Sequence, residues 1–212
     1  MNLLRKYIAE YIRTNIVAYF FITLIFVIGV VAGAMAVKTL PEEQKLELVG
    51  YLRIFFQGLA QQQGLTADSQ TLLFTAIINN AKVIILMWLL GFTVVGIPFV
   101  LLLVWVRGFV IGFTVGFLVN EYVLKGLLFA IVSVLPHNFF TVPAILATGV
   151  AATTYSLLLV RRRSSSKHNL LYISFSYCIF CFIMMVITVV GSLIEVYVSP
   201  VFMKIIVSLM TK

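Results

Sequence analysis

Few side chains in this sequence have the types and spacing that chemistry requires. Cys178 and Cys181 form a CxxC pair inside an apolar run, on one side of a helix. Zinc needs four ligands and no others lie nearby, while a redox pair would sit partly exposed near a helix N-terminus; the pair reads as packing. Ser133 and His137 stand one helical turn apart beside Pro136, without an orienting acid or an oxyanion hole. An intramembrane aspartyl dyad needs two acids, and the sole aspartate is Asp68. HExxH and glycine-rich phosphate loops are missing from the sequence. The residues imply no enzyme, cofactor or metal. What remains is a set of polar side chains in apolar surroundings: Asn79, Asn80, Arg107, Asn120, His137 and Asn138.

The elements that must position these residues follow from composition. The chain has 212 residues, 62% of them hydrophobic and 10% charged, with a mean hydropathy of +1.13. An ordinary soluble domain carries about 25% charged residues, so much of this surface has lipid as its solvent. The net charge of +8 is what positive-inside topology produces. The basic residues are dispersed apart from Arg161, Arg162 and Arg163, so no nucleic-acid surface is assembled.

Apolar runs predict an all-α polytopic bundle, a single membrane domain over residues 1–212, with about five spans at 16–37, 83–106, 108–124, 139–160 and 170–194. Ala34-Met35-Ala36 has the look of a cleavage site, but the apolar stretch is too long for a signal-peptide core, and the first run reads as an uncleaved anchor. Arg107 is expected as a cytoplasmic anchor that closes the second span. Pro136 and Pro143 are expected to break the fourth segment, with 126–135 lying flat or re-entrant and covered by protein. His137 would then satisfy freed backbone groups. With the N-terminus inside and the C-terminus outside, Arg5, Lys6, Arg13, Arg107 and the basic loop after Val160 all face the cytoplasm.

Residues 38–82 are too long for a plain connector and predict an extracytoplasmic amphipathic hairpin. Glu42 and Glu43 fall in its first turn, after Pro41. Its role is either a lid or a docking surface for an outside partner, with Glu42, Glu43 and Glu47 as candidate contacts. Residues 196–212 read as an interfacial helix. Gly29 and Gly33, and Gly108, Gly112 and Gly116, recur every four positions; such faces let helices approach closely, within the chain or between copies as a homo-oligomer. Asn79, Asn80 and Lys82 read as a polar collar or as amide cross-links between helices.

The stretch 79–149 carries a resemblance. Asn79-Asn80, the RGFVIGFTVGFLVN block at 107–120 and the LPHNFFTVPA block at 135–144 (with Pro136, His137, Asn138 and Pro143) closely resemble the stage II sporulation protein M family. The broader family often has Pro-His-Gly followed by Glu; here Asn138 and Thr141 stand at those positions, so a function requiring an acid there is not implied. The resemblance implies a non-enzymatic membrane scaffold of the engulfment machinery, in the mother-cell membrane at the septum. Its implied partners are two peptidoglycan-degrading proteins, stage II sporulation proteins D and P. The rival reading is a small-molecule transporter or channel using a broken helix near His137, since discontinuous helices mark transport sites.

Overall fold

The computed structural model describes residues 13–60, 69–161 and 170–203. Helix α1 spans Ile16–Ala36 and ends in a 3-10 turn at Val37–Thr39. Helices α2 (Glu42–Ala60) and α3 (Ser69–Gly91) follow. A 66-residue helical segment, Gly96–Arg161, is broken at Val123 into α4 (96–122) and α5 (124–161). Helix α6 covers Leu170–Leu193 and runs through a π turn, Ile194–Val198, into a last helical stretch at 199–203. Four segments are long and apolar enough to cross a membrane: Ile16–Thr39, Gln70–Gly91, Gly96–Val160 and Leu171–Met203. The third would be about 98 Å if straight, and the break at Val123 folds it into an antiparallel pair. The protein is a helical membrane bundle.

Several expected boundaries move, each for an identifiable reason. The run 83–106 is not one span: the chain turns at 92–95, where Phe92, Thr93, Gly96 and Ile97 N–H groups donate to carbonyls three residues back. Gly96 is required there because a Cβ would strike the Leu90 carbonyl, and Pro98 sits in the first turn of α4, where a missing N–H costs nothing. The second membrane helix therefore begins near Gln70 and carries Asn79, Asn80 and Lys82 along its length. The 108–124 span likewise starts twelve residues earlier, at Gly96. The expected outer hairpin over 38–82 is reduced to α2, its second arm being α3 itself.

The fourth segment also differs. The helix runs through Pro136 and Pro143, and the interruption is at Val123 (φ 49°, ψ −121°). That dihedral pair is the one a type II′ turn reserves for glycine, so a β-branched residue there is strained. Residues 126–135 are neither flat nor re-entrant but run back along α4: Phe129 and Ala130 pack on Leu118, and a Cβ on Gly126 would strike the Leu118 carbonyl. The expected interfacial helix at 196–212 is, as far as Met203, a continuation of α6; its remainder lies outside the described residues.

Helix α1 lies parallel to α4 with backbones in contact. A Cβ on Gly29 would strike the Trp105 carbonyl, on Gly33 the Phe109 carbonyl, on Gly108 the Phe26 carbonyl and on Gly112 the Val30 carbonyl; on Gly116 it would come within 2.9 Å of Ala34 Cα. Both glycine series thus meet each other inside one chain. Ile22, Ile84, Met87, Val104, Ile145 and Val150 form the central core, drawing on α1, α3, α4 and α5. At the end holding the 92–95 turn, Tyr155 and Tyr177 stack at 4.5 Å between ring centres, and Ser156 Oγ donates to the Thr93 carbonyl at 2.9 Å. Thr154 Oγ1 donates to Asn15 Oδ1 at 3.3 Å, which brings the start of α1 to this same end.

Candidate functional site

Moving Arg107 from the end of a helix to the middle of α4 changes its surroundings. Instead of anchoring at an interface, it points between helices, where one amino group of its guanidinium donates to Asn80 Oδ1 and to Asn138 Oδ1, each at 3.4 Å. Both bonds are long for N–H···O, and both acceptors are neutral. Asn80 is buried, and its amide donates to Ser192 Oγ at 2.9 Å; Ser192 in turn donates to the Thr188 carbonyl at 3.1 Å. A connected polar path therefore joins α3, α4, α5 and α6.

Helix α5 contributes two neighbours from the proline-flanked turn. Asn138 Nδ2 donates to the Val134 carbonyl at 2.9 Å and Thr141 Oγ1 to the His137 carbonyl at 3.0 Å. Both bonds run to the carbonyl one turn back within α5. Nδ1 of the His137 ring is buried without a geometrically sound hydrogen-bond partner, and so is Arg107 Nε. A Cβ on Gly191 would meet Thr141 Oγ1 at 2.5 Å and the His137 carbonyl at 3.3 Å, so glycine is what lets α6 close against this part of α5.

These groups surround a cavity of about 280 Å³, whose lining includes Asn79, Asn80, Arg107, His137, Asn138 and Glu195. Glu195 reaches it from the π turn of α6. One extra residue per turn re-aims side chains, and such turns are frequent at functional sites. Ser199 Oγ closes the turn on the Ile194 carbonyl at 3.4 Å. The rim is open beside Asn79, Val110 and Thr114, which are exposed.

The structure thus brings together Asn79, Asn80, Arg107, His137 and Asn138. Asn120 stays apart, exposed and donating to Glu121 Oε1 at 3.0 Å. Pro136 is half-buried beside the cavity and Pro143 exposed. Glu42, Glu43 and Glu47 lie on the exposed face of α2, far along the chain from these groups. Cys178 and Cys181 are free thiols that line a separate apolar pocket with Trp88 and Met185. Sequence reasoning missed Glu195, Ser192 and Thr188. Glu195 had a usable signal, an acid five residues before Pro200 in an otherwise apolar stretch.

A family profile described as Stage II sporulation protein M matches residues 22–200. The chain belongs to the stage II sporulation protein M family. The match takes in every residue of the cavity and all but the start of α1, so the resemblance carried by 79–149 extends over most of the chain. Membership in the stage II sporulation protein M family gives the protein a role in sporulation. No curated protein and no solved structure is significantly similar to the chain.

Proposed function

We propose that the protein is a non-enzymatic membrane scaffold of the engulfment machinery in endospore formation. It recruits and positions extracytoplasmic peptidoglycan-degrading proteins, of the kind of stage II sporulation proteins D and P, at the septal membrane of the mother cell. The observation that carries this reading is α2. Among the described helices it is the one of more than eight residues that is not apolar enough to span a membrane. Among the described side chains, Lys45 Nζ pairs with Glu121 Oε1 at 3.0 Å, and Leu52 packs against the cluster of Leu118, Phe129 and Ala130. Glu42, Glu43, Glu47, Leu46, Tyr51 and Ile54 remain exposed, a mixed acidic and apolar face of the kind interfaces use.

Charge supports the orientation. Arg13 and Arg161 lie at the end of the bundle that holds the 92–95 turn, and in sequence they are followed or preceded by further basic residues, Arg162 and Arg163 after Arg161 and Arg5 and Lys6 before Arg13. Positive-inside bias places that end in the cytoplasm, and α2 then stands outside, where the wall is.

The test is an affinity pull-down from gently solubilised membranes of sporulating cells. The wild-type protein should bring down two wall-cleaving proteins in comparable amounts, and reversal of Glu42, Glu43 and Glu47 to Lys should lose them at unchanged membrane abundance. Recovery of the protein alone, with the hydrolases still at the septum in its absence, overturns the reading. A second reading, transport of a small molecule, draws on the polar cavity beside His137. It predicts a flux in liposomes that His137→Ala alters, where a scaffold has no flux to alter.

A further inference from the structure

We propose that the cavity between α3, α4, α5 and α6 binds a small zwitterion: a phosphate or carboxylate on the Arg107 side, carrying an ammonium group that reaches Glu195. The inference rests on this cavity alone and is independent of the scaffold reading.

The argument starts from what the protein leaves unpaired. A guanidinium away from water is costly unless an anion meets it, and Arg107 has only two long bonds to neutral amides, with Nε unpartnered. Glu195 faces the same cavity, yet the two charges are not within 4.0 Å of each other. One positive and one negative side chain therefore look into one space without neutralising each other directly. A simple anion in that space would meet the Glu195 carboxylate, and a simple cation would meet Arg107. A molecule bearing both charges satisfies both and enters with no net charge, the cheapest form in which to leave water or a headgroup layer.

The remaining lining fits this class. The terminal amino groups of the Arg107 guanidinium, which bond neutral amides only at 3.4 Å, match the oxygens of phosphate or carboxylate. Asn79 and Asn138 offer amides that donate or accept. About 280 Å³ lies just below the range of drug-sized pockets, about 300–1,000 Å³, and suits a headgroup or a free amino-acid-sized solute. The open rim at Asn79, Val110 and Thr114 gives a lateral entrance from the exposed surface.

The purified full-length protein is titrated with short-chain phosphatidylethanolamine, phosphatidylcholine and phosphatidylglycerol, and with free glycerophosphoethanolamine, a phosphodiester of no net charge. The three N-methyl groups of choline remove every N–H that Glu195 could accept from, while the phosphate is unchanged. The expected result is binding of the ethanolamine lipid about tenfold or more tighter than the choline lipid, the scale of one charged hydrogen bond, with phosphatidylglycerol also weaker. Glu195→Gln should erase the ethanolamine–choline difference, and Arg107→Gln should weaken all ligands. If free glycerophosphoethanolamine binds as well as the lipid, the zwitterion site stands and its ligand is a soluble molecule; if only the lipid binds, its ligand is a headgroup. Equal binding of the three lipids, or no binding, overturns the proposal. The ethanolamine–choline comparison on the wild-type protein decides even if a variant does not fold.

Discussion

Arg107 has one close neighbour whose loss should be felt twice. Asn80 accepts from the guanidinium and donates to Ser192. Asn80→Ala is therefore expected to cost about 1–3 kcal/mol, the penalty for stranding buried polar groups. Arg107→Met on top of it should cost less than the two single changes added together, because no charge is then left to satisfy. A double-mutant cycle of thermal unfolding in detergent measures this, and strict additivity would mean that the two side chains do not depend on each other. At this scale the sequence was readable by residue type. Asn79, Asn80, Arg107, His137 and Asn138 stood out because polar side chains in lipid-facing runs need a reason. Their meeting was not readable, because Arg107 looked like the end of a span. Glu195 escaped for the same reason: an acid where an apolar run stops reads as an interface, and only the π turn directs it inward.

Among the elements, the α1–α4 contact makes a sharp contrast between glycines. Gly112→Ala places a Cβ on the Val30 backbone and should destabilise by about 1–3 kcal/mol through overpacking, whereas a Cβ on Gly50 in α2 meets nothing within 4 Å. Gly50→Ala should be neutral or stabilising by about 0.5–1 kcal/mol, the helix preference for alanine. Midpoints of thermal unfolding of the two variants compare them directly. The docking of α2 should respond to alkali. Lys45 titrates above the ordinary lysine value of 10.5 because Glu121 accepts a hydrogen bond from it and then attracts it electrostatically. A raised value in the folded state means that the pair supports docking at all pH values below 10.5 where Glu121 is ionised, and fades as pH rises through the raised value. A nitroxide on Gly50→Cys should therefore gain mobility above pH 10.5; Glu121→Gln should show that mobility already at pH 7. Helix content was legible from the apolar runs, but two boundaries were not. Residues 83–106 have a plausible span length and no charge, which concealed the turn that Gly91, Gly96 and Pro98 mark. In 126–160 the prolines drew attention from Val123, a residue type that gives no warning of positive φ.

For the whole molecule, the fold places α2 and the Val123 turn at one end, and the 92–95 turn with Arg13 and Arg161 at the other. With Cys178 and Cys181 replaced by Ala, a membrane-impermeant thiol reagent should label Gly50→Cys in intact cells. Val95→Cys should react only after permeabilisation. Labelling of both in intact cells would refute the orientation drawn from charge. Bundle class was the part of this picture available from composition, since it depends on an average over many residues. Pairing depends on which faces are complementary, which spacing alone left open between one chain and two. The parallel contact of α1 with α4 also has a consequence for biogenesis. Gly29 and Gly33 close onto backbone that lies more than seventy residues further along the chain. The ribosome must therefore deliver α2, α3 and the 92–95 turn while the first helix waits in the bilayer with its small-residue groove unfilled. During that interval the nascent chain is open to capture by other helices, so insertion chaperones have most to do before residue 116 emerges.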